Sequence, residues 1–156
     1  MHTFSLRTDL WLPRPIQEVF RFFADAGNLQ TITPPWLSFE ILTPLPILMR
    51  PGAVIDYRLR LHGFPIRWQT EITSWEPPFR FVDEQRRGPY LLWIHEHRFE
   101  PLDGGTRVED YVRYRPPGGW LVERLFVRRD VTRIFAFRRQ KLQELFADSS
   151  SEKSTA

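Results

Sequence analysis

From Leu37 to Arg115 the chain alternates between short extended runs and turn residues, and no helical pattern interrupts it. The runs are "LSFEILT", "AVIDYRLRLHG", "PIRWQTEITSWE", "FRFVDEQRR", "LLWIHEHRFEPL" and "TRVEDYVRYR". Between them stand Pro44 to Pro51, His62-Gly63, Pro77-Pro78, Gly88-Pro89 and Asp103-Gly104-Gly105. β-Branched and aromatic segments punctuated this closely predict consecutive antiparallel strands. A doubly wound parallel sheet is excluded, because each parallel neighbour would need its own crossover helix.

The flanks complete the plan. Residues 3 to 11, "TFSLRTDLW", predict a first strand with Phe4, Leu6, Thr8 and Leu10 on one face. Pro15 then suits a first helical position, and Ile16, Val19, Phe20 and Phe23 follow at helical spacing. "AGNLQTITPPW" predicts a second helical piece that Thr33-Pro34-Pro35 stops. Residues 120 to 146 carry the longest helical pattern, with Leu121, Leu125, Val131, Ile134, Phe135, Leu142 and Leu145 as its apolar members. The expected fold is α+β: a curved seven-stranded antiparallel sheet wrapped around a long C-terminal helix, with two short helices after the first strand. Residues 1–146 form one domain in this reading, and "ADSSSEKSTA", 147–156, is a disordered polar tail.

Composition narrows the chemistry. The 156 residues hold no cysteine, which removes disulfides, thiol nucleophiles and thiolate metal sites. The net charge is only +3, and most of the basic residues are arginines. Their one dense cluster, Arg124, Arg128, Arg129, Arg133, Arg138 and Arg139, reads as the solvated face of the long helix, so no specific nucleic acid partner is expected. No signal-peptide pattern opens the chain and no apolar run approaches a membrane span, which predicts a soluble cytoplasmic protein.

The stretch "FRFVDEQRRGPYLLWIHEHRFEPLDGGTRVEDYVRY", set in this order of elements, resembles the START-like, or SRPBCC, superfamily with its helix-grip fold. That superfamily includes the birch pollen allergen type, and the stretch is most similar to the bacterial polyketide cyclase/dehydrase-like branch. The resemblance implies a cavity between sheet and C-terminal helix that takes a hydrophobic small molecule, with no cofactor. It does not choose between carriers, sensors and enzymes.

Strand parity proposes the lining. In "YLLWIHEHRFE", Trp93, His95, His97 and Phe99 share a face, opposite Ile94, Glu96, Arg98 and Glu100. With one face covered, the aromatic side points inward and takes both histidines with it. If Val108 and Val112 face inward on the next strand, so does Asp110, and Asp110 beside His97 is the preferred pairing, although the turn between the strands leaves the register open by one residue. Parity also groups Phe79, Phe81, Asp83 and Gln85, and separately Ile55, Tyr57, Leu59 and Leu61. Trp68 and Trp75 fall on opposite faces, so at most one of them lines the cavity.

The candidate ligand-binding set is therefore Tyr57, Leu59, Phe81, Asp83, Gln85, Trp93, His95, His97, Phe99, Asp110, Val112, Ile134 and Phe135. Polar groups in such a place need partners, since burying them unpaired costs several kcal/mol. His95, His97 and Asp110 are the candidate catalytic residues, an imidazole acid/base oriented by a carboxylate with Tyr57 as hydrogen-bond donor. A structural His–Asp clamp between adjacent strands is the alternative to a ligand-contacting role. Two histidines on one strand face also suggest metal ligands, but only Asp110 or Asp83 offers a further donor, and no metal is expected.

Three functions follow. The first is a carrier or sensor of a lipid, isoprenoid, quinone or polyketide-like aromatic. The second is a cyclase or dehydratase acting on such a ligand, and a weaker third is a protein or RNA interaction module using the arginine-rich helix. The loop Pro44 to Met49 is apolar enough to serve as a lid or to touch a membrane transiently, or else folds over its own cluster.

Overall fold

The structure, a computed structural model, describes residues 2–151. Strands β1 (Phe4–Leu12), β2 (Glu40–Ile41), β3 (Val54–Leu61), β4 (Phe64–Glu76), β5 (Arg80–Arg87), β6 (Leu92–Leu102) and β7 (Gly105–Arg115) form one seven-stranded sheet in the order β1-β7-β6-β5-β4-β3-β2. Every neighbouring pair is antiparallel. Helix α1 (Ile16–Ala24) follows β1, and after β7 come α2 (Gly119–Val122), a π turn (Glu123–Val127) and the long α3 (Arg128–Ser151). The seven strands and the long C-terminal helix are those the sequence predicts.

The differences have local causes. The second helical piece is only a 3₁₀ turn at Ala26–Leu29, and Pro35 opens another at Pro35–Leu37, where its fixed φ suits a first position. Ser38 closes that turn in the left-handed region (φ 47°), which delays "LSFEILT" and leaves the two-residue β2. Helix α3 runs on through Ser151, past the expected end at Phe146, and residues 152–156 of the expected tail lie outside the described residues. Leu121 and Leu125 are exposed rather than core. The π turn at Glu123–Val127 breaks the α-helical period between them and Val131, and Glu123 takes the inward position instead.

The β6–β7 turn settles the open register. Asp103 (φ 50°) and Gly104 (φ 77°) are both left-handed and Leu102 pairs Gly105, the geometry of a two-residue hairpin turn. His97 therefore stands opposite Asp110 and His95 opposite Val112. Beside the turn, a Cβ at Gly105 would lie 2.3 Å from the Leu12 carbonyl oxygen, so glycine alone lets β1 finish against β7.

Two irregularities bend β4 and β5, between Gln69 and Thr70 and between Ile72 and Ser74. The second inserts Thr73 and inverts the parity beyond it. Trp75 pairs Phe81 and joins the inner face that already holds Trp68, so the expected opposition of the two tryptophans is wrong, although only Trp68 reaches the cavity.

Helix α1 lays Ile16, Val19, Phe20 and Phe23 on the concave face. Phe20 meets Phe99 at 5.2 Å between ring centroids and Phe81 at 6.0 Å, and Phe23 meets Phe99 at 5.2 Å. Helix α3 adds Val131, Phe135 and Leu142, all buried. No described helix is long and apolar enough to cross a membrane.

Candidate functional site

Beyond the phenylalanines of α1 the concave face opens into a cavity of about 190 Å³. Its floor comes from β3 to β6 and its roof from α3, and Met49 and the 3₁₀ turns flank it. Ile55, Tyr57, Leu59 and Leu61 all face it, as the period of two requires of one strand. Trp68, Trp93 and Tyr90 pack ring on ring along one wall, with Trp68 at 5.4 Å from Trp93 and 5.9 Å from Tyr57. The cavity is mostly apolar, with a few converging polar groups.

Those polar groups form a single buried network. His97 Nε2 bonds Asp83 Oδ2 at 2.6 Å, and its Nδ1 lies 3.3 Å from Asp110 Oδ1. His95 Nε2 donates to the same Asp110 oxygen at 2.8 Å. Arg138 of α3 donates to it as well, at 3.2 Å, and stands 3.5 Å from His97 Nδ1. The two imidazoles stack at 3.7 Å, and Phe81 stacks on His97 at 4.0 Å.

The charges balance if one histidine is protonated. Burial alone pulls the His97 pKa down, but hydrogen bonds to Asp110 and Asp83 more than reverse it, and the pKa lies above its ordinary value. Burial and the neighbouring His97 charge hold the His95 pKa low, which Asp110 only partly offsets. Burial would lift Asp110, yet Arg138 and the two imidazoles hold it well below the carboxylate range; burial would lift Asp83 too, and the His97 hydrogen bond brings it below its ordinary value. Two carboxylates thus face Arg138 and a His97 imidazolium, while His95 stays neutral. Since His95 Nε2 carries the proton given to Asp110, its Nδ1 keeps a lone pair, and no hydrogen bond engages that atom among the described residues.

Residues 12–137 match the family model described as polyketide cyclase / dehydrase and lipid transport. The chain belongs to this family. No curated protein matches it in sequence. Among solved structures it is similar to Ara h 8.0201, with a TM-score of 0.71, 15% identity, and 94% of this chain and 99% of that one covered. TTHA0849 from Thermus thermophilus gives a TM-score of 0.67 at 22% identity, covering 94% and 99%. Major latex-like protein 151 from Panax ginseng gives 0.68 at 10%, covering 92% and 97%. What is shared at these identities is the fold, the helix-grip fold of the START-like superfamily.

Within this family member the expected site residues divide. Tyr57, Leu59, Phe81, Asp83, Trp93, His95, His97, Ile134 and Phe135 line the cavity. Gln85 does not: its side-chain amide donates to the Tyr90 carbonyl (2.7 Å) and accepts from the Tyr90 N–H (3.1 Å), clamping the β5–β6 loop. Phe99 lies in the α1 core and Val112 is sealed under Val131 and Phe135. Asp110 sits behind the histidines, because Arg138 covers it from α3. Phe79 precedes β5 and is exposed.

Sequence reasoning assigned Arg138 to a solvated face, and it is buried. The signal was present: Val131, Phe135, Arg138 and Leu142 recur at steps of four, three and four, which is the inward stripe. The apolar loop is mixed, with Met49 turned into the cavity wall and Leu45 and Leu48 left exposed. Asp83, His95 and His97 each bring one donor atom within 4.8 Å of the others, a spacing a metal ion could span. Both Nε2 atoms are already committed to carboxylates and Arg138 adds a fixed positive charge, so a cation would have to displace a proton and oppose a guanidinium.

Proposed function

We propose that the chain binds a hydrophobic small molecule in this cavity as a carrier or sensor, the candidates being a lipid, an isoprenoid or quinone, or a polyketide-like aromatic. One observation carries the reading. Among the described residues Trp68 Nε1 and Arg138 Nε are buried donors without a hydrogen-bond partner, and both residues line the cavity. Each such orphan costs about 1–3 kcal/mol, a cost that a ligand oxygen placed between apolar walls removes. The ligand is accordingly apolar in bulk, with one or two carbonyl, hydroxyl or ether oxygens.

The test is mass spectrometry on organic extracts of the purified protein after incubation with a bacterial lysate, with Trp68→Phe alongside. A discrete compound held by wild type and reduced roughly fivefold in the variant is expected. Equal retention by both would remove the indole anchor, and nothing retained by the folded wild type would remove the carrier reading.

A second reading, a cyclase or dehydratase, is favoured by His95, whose neutral ring, oriented by Asp110, keeps a lone pair on a residue lining the cavity. On that reading His95→Gln abolishes turnover of the retained compound while its binding stays within a few fold. Loss of binding and turnover together would assign His95 to packing.

A further inference from the structure

The loops at one end of the sheet and the start of the C-terminal helix gather exposed apolar side chains. Antiparallel pairing brings the β3–β4 hairpin at His62-Gly63, the β5–β6 loop at Gly88–Leu91 and the end of β7 at Arg115 to the same end, where α2 and the π turn begin the C-terminal helix. Six large apolar side chains stand exposed there: Phe64 72%, Leu91 61%, Trp120 58%, Leu121 50%, Leu125 56% and Phe126 59%. Four of them lie within the seven residues from Trp120 to Phe126, which is more apolar surface than a solvated helix start carries.

The π turn explains how they stay outside. It swings Glu123 inward until only 1% of it is exposed, where it accepts from Tyr114 Oη (2.9 Å) and from Arg128 Nε and Nη2 (3.0 and 2.9 Å). An acidic residue occupies the buried position and apolar residues occupy the exposed ones, the reverse of what core packing would select. Glu123 is paired as described, and Asp130 bonds His62 at 2.8 Å, which leaves Glu84 of β5 as the acid in the same cross-strand row as Arg113. Arg124, Arg129 and Arg133 remain exposed beside the apolar patch, with Arg87 and Arg113 at the strand ends, while Arg86 pairs with Glu71 at 3.0 Å.

We infer that this end is an interfacial docking surface for an anionic lipid bilayer. Tryptophan and phenylalanine flanked by arginine is the composition that rests at the headgroup level: rings enter the acyl boundary and guanidinium groups stay with lipid phosphates. The exposed guanidinium groups at this end outnumber its acids, which complements an anionic headgroup layer. The inference goes beyond the binding reading and holds whether or not the cavity is filled. It adds a route, since Leu61, Tyr90 and Val131 extend the cavity lining to this end.

The experiment is flotation of the full chain with vesicles of phosphatidylcholine alone and with equal parts phosphatidylglycerol, at low and high salt. The protein is expected to float with the anionic vesicles and to be released by salt. Trp120→Ser/Phe126→Ser and, separately, Arg124→Gln/Arg129→Gln each lower the bound fraction roughly tenfold, while circular dichroism stays that of wild type because all four residues are exposed. Folded wild type that ignores anionic vesicles, or floats equally well after both double substitutions, overturns the proposal. So does a concentration-dependent dimer in sedimentation that Trp120→Ser dissolves, which would assign the patch to a second copy of the chain.

Discussion

Under α1 the concave face is filled, and a few residues along the same strand it is open. Within β6, Phe99 is locked among Phe20, Phe23 and Phe81, whereas His95 and Trp93 face the cavity. The boundary is the stack of Phe81 on His97. On the filled side a helix supplies the opposing layer at close-packed spacing. On the open side the aromatic rings of Tyr57, Trp68, Trp93 and Tyr90 pack along the sheet on one another, and α3 roofs them without filling the space. The two regions differ in what opposes the sheet and hardly at all in the sheet itself, which is how one pleated surface serves as core and as binding wall.

The largest effect expected from this contrast is that of Phe99→Ala, which leaves a hole among three rings and should cost about 3–5 kcal/mol in urea unfolding. Trp93→Ala, which removes more atoms from a half-buried wall bordering a space already empty, should cost less than half as much. Equal losses would mean that the cavity closes up in solution. Asp110→Ala comes next, because it strands the buried Arg138 charge, and losses of about 3 kcal/mol are expected when one partner of such a pair is removed. A loss under about 1 kcal/mol would show that the network is hydrated, and would move the filled–open boundary behind His97.

Titration sharpens the same boundary with a smaller effect. His97, held protonated between Asp83 and Asp110, contributes stability that is complete below its unfolded value of 6.5 and is lost as pH climbs through the higher folded value. His95, held neutral, contributes fully above 6.5 and loses that share as pH falls through its lower folded value. Asp83 and Asp110 contribute fully above 3.8 and lose their share in acid below it. Urea midpoints followed from pH 6.5 upward should therefore fall in wild type and in Phe99→Ala, and stay level in His97→Gln. An unchanged slope in His97→Gln would rule out the protonated bridge.

Much of this was legible in the chain, and what was not has definite causes. Turn residues and alternation gave the strands, and parity put His95, His97 and Trp93 on the cavity side and Phe81 with Asp83, because both strands run unbroken through those positions. Parity failed at Trp75, where Thr73 bulges out of register, since one inserted residue exchanges the faces and leaves no mark in composition. It failed in another way at Gln85, which is on the inner strand face but is recruited by an unpaired loop backbone. Arg138 was hidden by its neighbours, as one buried arginine among five solvated ones reads as a sixth unless its heptad position is counted. Glu123 lies buried in a π turn that no apolar period announces.

The smallest effect is the most discriminating one. Trp68→Phe keeps a ring against Tyr57 and Trp93 and deletes only the indole N–H with part of the ring, so its packing cost should be about 1 kcal/mol. Removing a buried donor that has no acceptor returns about as much, which leaves the urea midpoint of the empty protein close to that of wild type. With ligand bound the balance reverses, because wild type then gains a hydrogen bond that the variant cannot make. Unfolding of both proteins, stripped and loaded, should give near-equal stripped midpoints and a loaded wild type that exceeds the loaded variant by about 1 kcal/mol. A variant clearly less stable when stripped would mean that the Trp68 N–H is already satisfied, by water inside the cavity, and the open half of the sheet would then be wet before any ligand enters.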